Sequence, residues 1–102
     1  MRRLVWSKQA RDAFRHIIDY IAEDDPAAAE RVAERVEATL LQLAEMPIGR
    51  RGRVRGTYEK VVTGLPYIIA YALDDTPGGS DLIVLHIIHG ARDWPEGEWP
   101  DN

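Results

Sequence analysis

The chain has 102 residues, 45% of them apolar and 29% charged, with a formal net charge of −4; this composition suits one soluble domain with a single core. It contains no cysteine, which excludes disulfides and thiolate metal sites. Its longest uncharged run, residues 61–73, is too short to cross a bilayer, and the N-terminus carries no apolar signal segment, so we expect a cytoplasmic protein without membrane attachment.

The first segments of the chain predict a short strand followed by an amphipathic helix. Leu4 and Trp6 alternate with Arg3 and Val5, and this alternation predicts a strand over residues 2–6. Ser7 is a suitable N-cap for a helix over Lys8–Asp24. Within that helix the apolar residues recur at the spacing of one helical face: Ala10, Phe14, Ile17, Ile18 and Ile21.

A second helix is predicted from Pro26 to about Glu45. Pro26 disfavours helical backbone at the preceding residue but fits the first position of a new helix, for which Asp25 is a suitable cap. Pro47 and Gly49 end the helix. Its inner stripe consists of Ala29, Val32, Val36, Leu40 and Leu43. Two amphipathic helices joined by so short a turn pack antiparallel, and they need a sheet to bury both stripes.

Three strands are predicted after the helices. They cover Arg53–Val62, Pro66–Leu73 and Leu82–His89. The turn residues of Asp74–Ser80 predict a loop between the last two. The predicted fold class is therefore α+β: an N-terminal strand, an antiparallel two-helix hairpin and a three-strand antiparallel meander, which together give one four-strand sheet covered by the helices. Residues 1–95 are expected to form the single domain, followed by an acidic tail over residues 96–102.

Positive charge is concentrated in one short segment. Residues 50–60 contain five basic residues and one acidic residue, in a chain that is otherwise acidic. Strand alternation would place Arg53, Arg55 and Glu59 together on an outward face, opposite Tyr58. Two interpretations follow. The segment is either an edge strand that its charges protect from pairing, or a binding site for a phosphate backbone or an acidic partner.

A polar cluster follows the last predicted strand. It consists of His89, Arg92, Asp93 and Trp94. A histidine that moves a proton, beside an arginine that stabilises a pentacovalent phosphate, would suit a ribonuclease. His86 lies within the aliphatic run, which favours a structural role. Two histidines and scattered acids at these spacings do not predict a metal site, and there is no glycine-rich phosphate loop or cofactor fingerprint, so we expect neither metal nor cofactor.

The order of the elements and three segments resemble a known family. The segments are Tyr20–Ala29 with its Asp-Pro turn, Gly64–Tyr71 and Val84–Asp93. From Leu4 to about Pro95 the chain resembles the RelE/ParE toxins of bacterial type II toxin–antitoxin modules. The resemblance implies a cytoplasmic toxin that causes growth arrest, in the manner of plasmid-stabilisation systems. It also implies a cognate antitoxin, ParD-like or RelB-like, that wraps the sheet and the helical hairpin, often in a heterotetramer.

The two branches of that family imply different chemistry. RelE-like members are metal-independent endoribonucleases that cleave mRNA in the ribosome, with basic residues and a C-terminal tyrosine, or a histidine with a tyrosine. The candidates here are His89, Arg92, Arg53, Arg55 and Lys60. No tyrosine follows Tyr71, however. ParE-like members inhibit DNA gyrase without a recognised catalytic set, and their last strand commonly ends in a His-x-x-x-Asp pattern such as His89–Asp93.

The acidic total charge favours the ParE-like branch, since it fits a protein target better than a ribosome made largely of RNA. The expected protein is thus a toxin that inhibits gyrase by binding and is not an enzyme. The alternatives are a RelE-like ribosome-dependent endoribonuclease and a non-toxic module that only binds an antitoxin. The expected partner-binding residues are Arg50, Arg51, Arg53, Arg55, Lys60, His89, Arg92, Asp93 and Trp94.

Overall fold

The computed structural model describes residues 1–47, 49–52 and 54–90, and the predicted acidic tail lies outside these ranges. Within them a strand is followed by two helices and four further strands. The elements are β1 (Arg3–Trp6), α1 (Lys8–Asp24), α2 (Pro26–Glu45), β2 (Arg50–Arg51), β3 (Tyr58–Val61), β4 (Tyr67–Thr76) and β5 (Gly79–His89). The α+β class and the extents of both helices are as the sequence predicts.

Both helices begin at the predicted caps. The Ser7 hydroxyl oxygen accepts a hydrogen bond from the Ala10 N–H at 3.0 Å and so caps α1. Asp25 ends one helix and starts the next, because its own N–H donates to the Ile21 carbonyl at 2.9 Å while its carboxylate accepts from the Ala28 N–H at 3.1 Å. With only this residue between them, the two helices form a tight hairpin whose apolar stripes join one core cluster.

The sheet has five strands in the order β1-β5-β4-β3-β2, and it is mixed. The strand β1 runs parallel to β5, with Leu4 opposite Leu82 and Trp6 opposite Val84. The other neighbouring pairs are antiparallel. The predicted four-strand sheet is therefore wrong in strand number. The parallel pair arises because β1 and β5 are not consecutive in the chain, so no hairpin turn imposes an antiparallel direction on them.

The strand boundaries also differ from the prediction before β3 and between β4 and β5. The predicted strand over residues 53–62 is shorter, since Gly56 adopts a φ of 84° and the Thr57 N–H turns back to the Val54 carbonyl. The predicted loop over residues 74–80 is mostly strand, with Asp75 paired to Ser80 and only two residues at the turn. Polar residues can continue this ladder because its hydrogen bonds join backbone groups and need no apolar side chains. A 2.7 Å hydrogen bond between the Ser80 and Asp75 side chains strengthens the pairing.

The helices cover one face of the sheet and enclose the core. From α2, Val36, Leu40 and Leu43 are almost fully buried, and Phe14 and Ile17 of α1 pack against the same cluster. The sheet contributes Val62, Tyr67, Ile69, Tyr71, Leu82, Val84 and Ile87. Tyr71 is fully buried and stacks on Tyr58 with ring centroids 5.6 Å apart, and burial raises the pKa of its hydroxyl.

Two adjacent leucines of α2 test this arrangement, because Leu40 is 1% exposed and Leu41 is 50% exposed. Replacing Leu40 by Ala removes buried methyl groups and leaves a cavity, so the free energy of unfolding should fall by about 2–5 kcal/mol. Leu41→Ala should lower it by less than about 1 kcal/mol. Urea denaturation followed by circular dichroism measures both values. Equal losses in the two variants would contradict the helix orientation.

Candidate functional site

Four basic residues of the predicted partner site lie at one edge of the sheet, here called the basic edge: Arg50, Arg51, Arg55 and Lys60. Arg50 and Arg51 form the outermost strand and are exposed. Arg55 is exposed in the turn that leads to β3, and Lys60 lies half-buried on that strand. Arg53 lies outside the described residues. The positive segment of the sequence is thus a positive edge of the fold.

Glu59 differs from its predicted place. Alternation assigned it to an outward face with the arginines, yet it is only 3% exposed. The strand β3 pairs on both sides, with Glu59 opposite Arg50 on β2 and Ala70 on β4, so it is not an edge strand. The Arg50 Nη2 atom lies 3.5 Å from the Glu59 Oε1 atom. A buried carboxylate therefore holds Arg50 in place from within the sheet, and Arg51 and Arg55 extend into solvent.

The basic edge is attached to the core through Gly49. The Gly49 N–H donates a 2.9 Å hydrogen bond to the hydroxyl of the buried Tyr71. A β-carbon at position 49 would meet that hydroxyl and would lie 2.8 Å from the Glu59 carbonyl oxygen. Only glycine allows the backbone to approach this closely, so Gly49 determines where β2 joins the sheet.

Gly49→Ala should therefore displace β2 and lower the free energy of unfolding by about 1–3 kcal/mol, the usual cost of forcing extra volume into a packed site. Gly78→Ala is the matched control, because nothing lies within 4 Å of a β-carbon at position 78. Urea denaturation of both variants checks the prediction. A stability loss at position 78 as large as that at position 49 would contradict it.

An apolar groove, here called the hairpin groove, lies between the helices over β1 and has a volume of about 490 Å³. It is lined by Leu4, Trp6, Arg11, Phe14, Arg15, Glu37, Leu40 and Leu41. Trp6 and Phe14 are in ring contact at 5.4 Å, and Leu41 is half exposed. The rim carries two exposed arginines and one exposed glutamate. The groove and the basic edge lie at opposite ends of the sheet, since β1 and β2 are its two outer strands.

A second concavity, here called the histidine cleft, has a volume of about 630 Å³ and brings together all three histidines of the chain. It is lined by Ala13, His16, Ile17, Tyr20, Ile21, Tyr67, His86, Ile87, Ile88 and His89. His89 packs edge-on against Tyr67, with ring centroids 5.4 Å apart. Burial lowers the pKa of His86, which favours its neutral form.

Of the predicted C-terminal cluster, His89 is described and Arg92, Asp93 and Trp94 lie outside the described residues. The structure groups His89 with His86 and His16, and separates it from Lys60, because β4 lies between β5 and β3. Adjacent strands are about 5 Å apart, so the two backbones are about 10 Å apart. Sequence reasoning missed His16 and Tyr20. Their spacing of four residues places both on one flank of α1. This spacing indicates a shared site only in the folded chain, where β5 lies beside that flank.

The described residues form neither a cluster of metal ligands nor a membrane-spanning helix. No group of three or more histidine, aspartate or glutamate residues among them is arranged to hold a metal ion. Neither described helix combines the length and apolarity that crossing a membrane requires. The three described surfaces that stand out, two concave and one positively charged, are of the kind that contacts other macromolecules.

Comparison with known proteins identifies the class. Residues 4–94 match the family described as the ParE toxin of the type II toxin–antitoxin system, parDE. The chain is 36% identical over 96 residues to a Sinorhizobium fredii protein named as toxin Y4kP, covering 93% of this chain and 95% of that one. It is 34% identical over 93 residues to toxin RelE2 of Caulobacter vibrioides, covering 90% and 99%.

Solved structures share the fold. A chain of the chromosomal ParDE system from P. aeruginosa superposes with a TM-score of 0.76 at 18% identity, covering 87% of this chain and 96% of that one. A YoeB/ParE toxin from Agrobacterium tumefaciens gives a TM-score of 0.59 at 15% identity, covering 83% and 94%. The chain belongs to the ParE toxin family, within the ParE/RelE superfamily of type II toxin–antitoxin toxins.

Proposed function

We propose that this toxin arrests growth by binding and inhibiting DNA gyrase, and that a ParD-like antitoxin neutralises it. The observation that carries the proposal is the composition of the cleft around His89. Its described lining contains aromatic, aliphatic and imidazole side chains and no lysine or arginine. A nuclease site needs cationic or amide donors around the phosphate, and a described lining whose only nitrogen donors are imidazoles suits a protein surface better than an RNA backbone.

RNA cleavage needs a donor that stabilises the pentacovalent phosphate in addition to a base and an acid. A base must take the 2′-hydroxyl proton and an acid must protonate the leaving oxygen, and each such step contributes about 10²–10⁴-fold. The imidazoles of the histidine cleft could take these two roles, but the described lysine and arginine candidates for the phosphate lie elsewhere. Lys60 lies two strands away, and Arg55 lies in the turn before β3. This separation supports a toxin that acts by binding.

A RelE-like ribosome-dependent endoribonuclease is the second candidate, favoured by the 34% identity to a protein named toxin RelE2. In that case the catalytic residues would come from His89, Arg92, Arg53, Arg55 and Lys60. A non-toxic module that only binds an antitoxin is the third candidate. The three differ in their effect on cells and in the purified component that they need.

The purified toxin should inhibit supercoiling by purified gyrase without ribosomes, and adding the product of the neighbouring antitoxin gene should relieve the inhibition. Purified ribosomes carrying mRNA should show no new cleavage at the same toxin concentration. Agarose-gel supercoiling assays and primer extension measure the two outcomes. Transcript cleavage by the wild type that is lost in His89→Ala would overturn the gyrase proposal, and absence of growth arrest on induction would favour the non-toxic module.

We infer that the antitoxin makes two different contacts. The basic edge favours acidic residues of the antitoxin, because Arg51 and Arg55 are exposed cations in a chain that is otherwise acidic. The hairpin groove favours an apolar segment, with carboxylates near Arg11 and Arg15 at its rim. A segment that reaches both must cross the molecule from one outer strand to the other. Such wrapping is consistent with a heterotetramer in which antitoxin dimers each hold two toxins.

Changing Arg51 and Arg55 together to Glu should weaken antitoxin binding and make the remaining affinity less dependent on salt, because two long-range attractions become repulsions. Arg50 is left unchanged, since it pairs with the buried Glu59. The control replaces Lys8 and Arg31, both exposed on the helices, by Glu with the same change in net charge; the Lys8–Asp12 ion pair that it removes is solvent-exposed and contributes little to stability. Titrations at low and high salt measure the dissociation constants. Equal weakening in both double variants would remove the claim for the basic edge.

A further inference from the structure

We propose that the two walls of the hairpin groove, which carry opposite charges, fix the orientation of the antitoxin segment that the groove holds. The segment presents carboxylates toward α1 and a lysine or arginine toward α2, on either side of an apolar stripe. This inference rests on the antitoxin contact of the proposed function and deepens it, because it names the toxin residues that decide which antitoxin segment fits and in which orientation.

The charged side chains of the groove are divided between its two walls. Arg11 and Arg15 belong to α1 and Glu37 belongs to α2, and all three are exposed and line the groove. Arg11 and Arg15 are four residues apart, so they lie on one flank of their helix. Counted outward from the Asp25 turn, Glu37 lies at the level between the two arginines. The groove therefore has a positive wall and a negative wall at the same height of the hairpin.

These charges are not neutralised by each other. Ion pairs between described residues lie elsewhere, and they join Arg2 to Asp75, Arg3 to Asp81, Lys8 to Asp12, and Arg50 to Glu59. Arginines that paired with Glu37 across the groove would close it and would offer little charge to a partner. Charges of opposite sign on separate walls instead form a fixed pattern, which a partner of complementary charge can match.

The apolar floor of the groove links the two walls. Leu4 and Trp6 of β1 form this floor, and Trp6 is in ring contact with Phe14 of α1 at 5.4 Å. Leu41 of α2 is 50% exposed beside it and gains burial when the groove is filled. A segment whose apolar stripe fills the floor brings its flanking side chains to both walls. Exclusion of water from the floor also strengthens the interactions of the nearby charges.

Other occupants fit less well. A nucleic acid would meet an apolar floor and the Glu37 carboxylate, which repels phosphate. A second copy of this chain, docked about a twofold axis, would set one groove against the other, and two concave surfaces cannot fill each other. A protein segment with an apolar stripe and opposite charges at its sides satisfies the floor and both walls.

The opposite walls make a prediction that the overall charge does not. If the toxin attracted an acidic antitoxin only through general positive charge, removing Glu37 would strengthen binding. If Glu37 holds a cation of the antitoxin, removing it weakens binding. The same substitution therefore gives opposite results under the two explanations.

Glu37→Lys should weaken antitoxin binding by about three- to tenfold at low salt, because an attraction becomes a repulsion, and the loss should shrink at high salt. Arg15→Gln should also weaken binding, although it changes the net charge in the opposite direction. Both side chains are exposed, so the urea midpoints should equal that of the wild type within error. Calorimetric titration of each full-length toxin with the purified product of the neighbouring antitoxin gene measures the dissociation constants.

Glu30→Lys is the matched control for Glu37→Lys. Glu30 is exposed on the same helix and does not line the groove, and the substitution changes the net charge by the same amount. Its affinity for the antitoxin should equal or slightly exceed that of the wild type. Leu41→Ala reports whether the antitoxin enters the groove at all, and it should weaken binding several-fold.

Glu37→Lys that binds the antitoxin as tightly as the wild type, or more tightly, would overturn the inference. Equal weakening in Glu30→Lys would do the same. Wild-type affinity in Leu41→Ala would show that the antitoxin does not occupy the groove and would overturn the proposed antitoxin contact as well. Weaker gyrase inhibition by free Glu37→Lys with unchanged antitoxin affinity would assign the groove to the target instead. The gyrase function itself stands or falls separately, on supercoiling inhibition by the wild type.

Discussion

The burial of two helical stripes against a single sheet face is the constraint on which the structure depends. The hairpin of α1 and α2 cannot hide its apolar residues alone, and the long β4–β5 ladder supplies the complementary face through residues such as Ile69, Tyr71 and Val84. At about 25 cal/mol for each Å² of apolar surface buried, this contact supplies the largest favourable term in folding. The hairpin groove and the histidine cleft both lie at the margins of this contact, where α1 meets β1 and β5.

The two edges of the sheet differ because its strands have unequal lengths. The four residues of β1 cover only part of the eleven residues of β5, so the histidine cleft opens where β1 ends. At the other edge, the two residues of β2 are held by the Gly49 hydrogen bond and the Arg50–Glu59 pair. A charged edge of this kind resists unwanted strand pairing and also presents cations to an acidic partner. The same edge would present its cations to the acidic antitoxin segment proposed above.

The distribution of surfaces bears on the antitoxin contact proposed above. The apolar groove lies over β1 and the cations lie at β2, so a neutralising partner that uses both would cross the whole toxin. A contact spread over distant surfaces gives high affinity through several modest interactions, and local release of one part weakens the whole.

The sequence by itself determined the helices, their caps at Ser7 and Asp25 and the apolar parts of β4 and β5, because helical periodicity, capping and β propensity act between near neighbours. Tertiary structure decided the parallel direction of β1, the existence of β2, the burial of Glu59 and the meeting of His16 with His86 and His89. These features depend on which strand lies beside which, and on where α1 runs over β5. Such contacts join residues far apart in the chain, and no local pattern encodes them.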